Sequence, residues 1–407
     1  MTAGRLKILY LVAGHGLMDG VGPSRNVLSL SRALQPYADV TVAFRYLLDS
    51  APPAGLPLVE IDPARRPASA SLDDSAMRGL SLGGFADYLR RLRRLAAAAA
   101  GQYDVILEKS WLLSGYLSKV AAAHGGAGIP VENVVPSSAR HRGAGILKRL
   151  RVEAGRVLAG RALRTAPLVI AETDQLKTDI ARVWGVAEER IAVVGLGLDR
   201  EIFHPRDQAE TRSGLGLPQD RCLLLYVGTL DETHDLEAAV RAVAARGDDA
   251  LELHVVGDGP RRAEYEAIAA SGAGRVVFHG RLPHAQVPMW IAAADLCLAP
   301  YSAKAFASGA LGYSTMKIPE YLGVGRAVAS VPSGRVRDIV SHGQTGFLFD
   351  NTVEQWQAFL DDRPDRARLA AMGEKAAASP LPSWDETAQG YLAACERVLA
   401  GKGRGRG

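Results

Sequence analysis

The chain has 407 residues, 48% of them hydrophobic and 23% charged, with a net charge of +4. That composition is that of a soluble globular protein, and the length argues for two domains rather than one core. The mild positive charge suits an anionic ligand but makes no case for nucleic acid.

Cys222, Cys297 and Cys395 stand far apart, with no metal or redox spacing, as expected of buried free thiols in a reducing cytosol. The apolar run within Met1–Val12 is too short for a signal peptide, and no segment approaches the ~20 apolar residues of a membrane span. A cytoplasmic location is expected.

Leu6 to Val12 is a continuous apolar run, the pattern of a buried parallel strand. It opens into Ala13-Gly14-His15-Gly16, and an amphipathic helix follows from about Arg25 to Leu34. With Val40 to Phe44 this makes one βαβ unit. It is not a dinucleotide fingerprint, because the loop is too long and no acid ends the second strand. Leu56 to Ile61 reads as a short strand and Phe85 to Ala100 as a helix. Val105 to Leu107 is a strand ending at Glu108-Lys109, and Val131-Glu132-Asn133 ends another. Open α/β sheets place ligands at the carboxyl ends of their strands. His15, Glu108, Lys109, Glu132 and Asn133 are therefore candidates for a ligand pocket, with capping or salt bridges as the alternative for the charged ones.

The stretch Arg140 to Arg164 is dense in basic residues, with Glu153 the lone acid. It is either a solvated helix face or a weak peripheral contact with a membrane or another anionic partner. Leu168 to Ala171 and Ile191 to Val194 read as strands, and Gly195 to Pro205 as the linker between domains.

The second half repeats the strand-to-glycine pattern. Leu223 to Val227 runs into Gly228-Thr229, and Leu251 to Val256 into Gly257-Asp258-Gly259. Val276 to Gly280 is followed by Arg281 and Leu282. Gly312, Ser314 and Thr315 then precede a short helical stretch, Lys317 to Leu322, and the apolar strand Ala327 to Ser330. A loop feeding a helix N-terminus is a ready anion site. Lys317 and Glu320, three apart, share one face. One would hold a phosphate and the other sugar hydroxyls; the alternative is a surface ion pair. Trp384 to about Leu399 reads as a final helix, and Gly401 to Gly407 as a frayed tail.

The stretch from Gly312 resembles the donor segment of family 4 retaining glycosyltransferases of the GT-B fold. There the pattern runs Gly-x-Ser-Pro-x-Lys-x-x-Glu-Tyr, with Thr315 here in place of the proline. Some members carry a further glutamate eight positions earlier, where this chain has Gly312. Gly228 to Asp235 resembles the family's Gly-Arg-Leu-x-x-x-Lys-Gly, with Thr229 and His234 replacing the basic residues. Val21-Gly22 stands for the Gly-Gly before the first helix. The likeness covers nearly the whole chain and is strongest from Leu223 to Phe349.

The resemblance implies an α/β protein with two Rossmann-like domains facing a cleft: 1–198 for the acceptor and 199–382 for the donor. A helix at 383–400 would cross back to the first, and 401–407 would be a disordered tail. It implies metal-independent, retaining transfer from a UDP- or GDP-sugar to a small-molecule or lipid-linked acceptor, with no cofactor. The donor would meet Gly22, Gly228, Thr229, His234, Gly257, Gly259, Arg281, Leu282, Gly312, Ser314, Thr315, Lys317 and Glu320. Lys317, Glu320 and His234 would serve the chemistry, His234 bringing charge only when protonated. The rivals are a nucleotide-sugar epimerase of the same fold and a catalytically silent donor-binding subunit.

Overall fold

The computed structural model describes residues 5–18, 22–48, 55–66, 82–135, 146–302, 311 and 314–404. Contacts divide the chain into two units: the described residues up to Gly197 with Ser314 and the chain from Trp384 on, and Leu198–Leu311 with Thr315–Ser383.

The first unit carries β1 (Leu6–Val12), α1 (Gly22–Leu34), β2 (Ala38–Phe44), β3 (Leu58–Glu60) and α2 (Leu82–Ala99). Then come β4 (Val105–Lys109), α3 (Tyr116–Ala123), β5 (Gly128–Glu132), α4 (Ile146–Leu163), β6 (Val169–Ala171), α5 (Asp174–Trp184) and β7 (Ile191–Val193). Its sheet has seven strands in the order β3-β2-β1-β4-β5-β6-β7. Every pair is parallel, and β1 and β2 run in register from Leu6 opposite Ala38 to Val12 opposite Phe44. The continuous apolar runs follow from this, because both faces of the sheet are covered. Ile8, Tyr10 and Val12 face one core, and Leu9 and Leu11 face the other, packed on Tyr88, Leu92 and Ala96 of α2.

The second unit carries α6 (Gln208–Leu215), β8 (Cys222–Val227), α7 (Glu237–Ala244), β9 (Leu251–Val256), α8 (Arg262–Ala270), β10 (Arg275–Gly280) and α9 (Val287–Ala293). β11 (Leu296–Ala299), α10 (Lys317–Gly323), β12 (Ala327–Ser330), α11 (Val336–Ile339), β13 (Gly346–Leu348), α12 (Val353–Asp361) and α13 (Arg366–Ala377) follow. The six strands run β10-β9-β8-β11-β12-β13, again all parallel. Each unit is thus a Rossmann-like layer of helix, sheet and helix. In both sheets the order reverses beside the first strand of the unit, which opens a crevice at the carboxyl edge.

The last helix, α14 (Trp384–Arg404), packs Ala388, Tyr391, Ala394, Cys395 and Val398 into the core against β1 and α1. It corrects the expectation of a tail from Gly401. The helix continues through Arg404, and the Lys402 ammonium bonds the Gly125 carbonyl. All three cysteines are free and buried.

Candidate active site

Three neighbouring strands of the second unit end in glycine. Gly228 follows β8 with φ +148°, Gly257 follows β9 with φ +136°, and Gly280 closes β10 with φ +69°. Their backbones touch. The Gly228 N–H donates to the Val256 carbonyl at 2.9 Å, and the Gly257 N–H to the Gly280 carbonyl at 2.8 Å. A Cβ on Gly257 would stand 1.9 Å from the Gly228 oxygen, and one on Gly259 2.3 Å from the Leu230 oxygen. Only glycine allows both the positive φ and this approach. Past Gly280, Arg281 is exposed and Leu282 half-buried.

Beyond Gly228 the loop turns on Asp231. One carboxylate oxygen accepts the Thr233 N–H (2.9 Å), the His234 N–H (2.8 Å) and the His234 ring Nδ1 (3.0 Å). Burial works against the charge, but the His234 ring and the loop amides outweigh it and hold Asp231 down to about 2. The His234 ring packs 5.5 Å from that of Tyr301. Its Nδ1 is therefore spent on Asp231. The Tyr301 hydroxyl pairs with that of Thr315.

Lys317 opens α10. Its Nζ lies 4.3 Å from the Tyr226 ring centre and 5.4 Å from that of Tyr301, and it donates to the Tyr226 hydroxyl at 3.2 Å. No carboxylate among the described residues forms an ion pair with it. Loss of water around the ammonium lowers its pKa to about 7, against the pull of Asp231 and Glu320. A Cβ on Gly228 would stand 2.7 Å from Nζ, so the glycine makes room for the cation. α10 is pinned to β8 through Tyr321, whose hydroxyl accepts the Val227 N–H at 2.9 Å. Glu320 is only 8% exposed, so the surface ion pair considered from the sequence does not exist. Ser314 and Thr315 are buried as well, while Gly312 lies outside the described residues. The helix has seven residues and no side-chain cap, so the cation here is the lysine rather than a helix dipole.

The strand ends of the first unit hold a buried charge cluster. Glu108 accepts from the Trp111 indole (2.7 Å) and from the Ser118 (2.7 Å) and Leu117 (3.3 Å) amides. It caps α3, the alternative weighed for it from the sequence. Lys109 is fully buried and pairs with Glu172 at 3.1 Å. Burial disfavours its charge, yet Glu172 raises its pKa on balance. Asn26 donates to the same Glu172 oxygen at 3.0 Å. Glu172 was not singled out from the sequence, although it follows β6 as Glu108 and Glu132 sit at their own strand ends.

Neither oxygen of Glu132 finds a hydrogen bond among the described residues. Burial, opposed by the nearby Ser114 hydroxyl and Lys109 and reinforced by the charges of Glu108 and Glu172, lifts its pKa to about 8. Both the burial and the neighbouring carboxylates favour its protonated form. Asn133 accepts from the Ser110 hydroxyl. The His15 ring, bonded to the Gly16 carbonyl at 3.1 Å, is held neutral with a pKa of about 4, chiefly by burial. Nothing lies within 4 Å of a Cβ placed on Gly22, which begins α1.

A family model described as "Glycosyl transferase 4-like domain" matches residues 21–197, and one described as "Glycosyl transferases group 1" matches 221–361. The chain is a family 4-type glycosyltransferase of the GT-B fold. It is similar to the D-inositol 3-phosphate glycosyltransferase of Acidothermus cellulolyticus, at 28% identity over 76% of this chain and 70% of that one. The protein of the same name from Xylanimonas cellulosilytica is 28% identical over 93% and 92%. Among solved structures, sucrose-phosphate synthase from Thermosynechococcus elongatus superposes with a TM-score of 0.73 at 20% identity, covering 98% and 100%. Anabaena HepE in complex with UDP and glucose gives 0.69 at 19% identity, covering 96% and 100%. At such identities these structures speak for the fold of the glycosyltransferase alone.

Proposed function

We propose that this glycosyltransferase moves a sugar from a UDP- or GDP-linked donor to a small-molecule or lipid-linked acceptor, with retention of configuration and without a metal. The observation that carries this reading is Lys317, a cation with no ion pair among the described residues, beside the bare backbone of Gly228. A donor diphosphate placed there gains charge as the glycosidic bond breaks, and Lys317 stabilises that charge as a metal would elsewhere. The bond from the anomeric carbon to the β-phosphate oxygen breaks, and the acceptor oxygen bonds to that carbon from the same face. The acceptor proton passes to the leaving phosphate. Glu320 binds the ribose hydroxyls, and the loops at Gly257–Gly259 and Arg281–Leu282 flank the nucleotide. His15, Lys109, Glu132 and Asn133 are the acceptor-side candidates, Lys109 and Glu132 from buried positions.

The relatives named D-inositol 3-phosphate glycosyltransferase make an inositol phosphate the first acceptor to test. A thermal-shift screen of UDP, GDP, ADP and their sugars identifies the donor. Incubation with inositol phosphates, followed by NMR of the anomeric centre, then reads transfer and stereochemistry. Epimerised donor without acceptor would support the epimerase reading. Nucleotide binding with neither transfer nor hydrolysis would support a silent subunit, a reading that the engagement of His234 by Asp231 favours.

We also propose a weak contact between α4 and an anionic membrane of the cytoplasm. Leu150, Val157 and Leu158 are 60%, 47% and 50% exposed, and the exposed Arg161 shares their helix face. An outward apolar stripe flanked by arginine is the pattern of a helix lying on a lipid surface. No helix among the described residues is long and apolar enough to cross a membrane.

A further inference from the structure

A buried cation normally sits beside a carboxylate, because taking it out of water is otherwise costly. Lys317 does not. Its neighbours across the site are two tyrosine rings, the fully buried Tyr226 of β8 and the nearly buried Tyr301 after β11. Two hydrogen bonds of the Tyr226 hydroxyl to described residues fix its role. It donates to the Thr229 carbonyl at 2.6 Å, so its lone pair is left facing the ammonium, from which it accepts at 3.2 Å. The charged groups around the ammonium are Asp231 on the loop after β8 and Glu320 on its own helix, and both act only at a distance. One oxygen of Asp231 is already taken by the turn at His234.

We propose that Tyr226 is the positioning residue of the donor site: its ring carries the Lys317 ammonium, and its hydroxyl, anchored on Thr229, keeps that ammonium beside Gly228 for the diphosphate. The assignment rests on the reading of Lys317 as the diphosphate ligand. Neutral partners suit this task for a physical reason. A carboxylate would hold the lysine equally well, but it would also repel the incoming diphosphate and cancel the charge meant for it. An aromatic face holds the cation through its quadrupole, worth roughly 0.5–2 kcal/mol, and leaves the net charge intact. The hydroxyl supplies direction. The same arrangement makes the ammonium easy to deprotonate while the site is empty, and diphosphate binding then restores the proton.

The first test needs no ligand. The chain has nine lysines, so ¹³Cε-lysine labelling gives a spectrum simple enough to follow through a pH titration. The signal missing from Lys317→Met should titrate near 7, far below the rest. In Tyr226→Phe, which keeps the ring and loses the accepting oxygen, its midpoint should fall by about half to one pH unit. The second test is UDP titration by calorimetry. Wild-type affinity should drop about fivefold from pH 7 to pH 8 with proton uptake, and Tyr226→Phe should lose more affinity at pH 8 than at pH 7. A Lys317 signal titrating with the ordinary lysines, or a midpoint unmoved by Tyr226→Phe, overturns the proposal. If the NMR shifts appear and UDP, GDP and ADP all fail to bind, the donor reading is lost while the Tyr226–Lys317 pairing stands.

Discussion

Glu132 offers a measurement that needs neither donor nor acceptor. The carboxyl is fully buried, without a hydrogen bond among the described residues, and its pKa rises from the usual 4.5 to about 8. The folded protein therefore keeps a proton that the unfolded chain has already released above pH 5. A raised folded pKa means stability that is fully present below the unfolded value and is lost as pH rises through the folded one. The window is pH 4.5 to 8, and the loss across it is roughly 3–5 kcal/mol, at about 1.4 kcal/mol for each pH unit. For a unit of this size that is about 6–20 °C in Tm. Glu132→Gln mimics the protonated form and removes the dependence. Thermal unfolding of both proteins from pH 5 to pH 9 isolates this one group, since every other titration is common to both. The curves should nearly coincide at pH 5 and diverge in favour of the variant up to pH 8. Parallel curves across the range would refute a neutral, unpaired Glu132.

Lys317→Ala should lower kcat by about two to three decades, the usual cost of one charge-assisted transition-state contact of ~2.7–4 kcal/mol. Glu320→Ala should instead raise the donor KM more than it lowers kcat, as steady-state kinetics would show. Gly257→Ala forces a Cβ to within 1.9 Å of the Gly228 oxygen at a φ of +136°. Denaturant unfolding should show a loss of about 2–5 kcal/mol, and an unchanged midpoint would mean that the two loops do not touch. Liposome flotation should recover the protein on anionic vesicles at low salt and release it at high salt. Val157→Glu with Leu158→Glu should abolish recovery, and binding indifferent to both changes would exclude α4 as the contact.

Element order was legible because its signals are local. Unbroken apolar runs such as Ile8–Val12 and Cys222–Val227 announce strands covered on both faces, and glycine after each marks where a loop must turn at the edge of a sheet. The three-residue spacing of Lys317 and Glu320 likewise placed both on one short helix. Partnership was not legible. Glu108, Lys109 and Glu132 looked alike as charged residues at strand ends, yet one caps α3, one pairs with Glu172 and one is buried with its pKa raised. Those fates follow from strand order, which sets β4 between β1 and β5 and brings Glu172 within reach of Lys109 across 63 positions of sequence. Tyr226 and Lys317 lie 91 positions apart, and nothing periodic in the chain links them. Sequence pattern reports which face of its own element a residue occupies. What stands opposite that face, and hence whether a charge is capped, paired or cradled by an aromatic ring, is decided only when the sheets assemble.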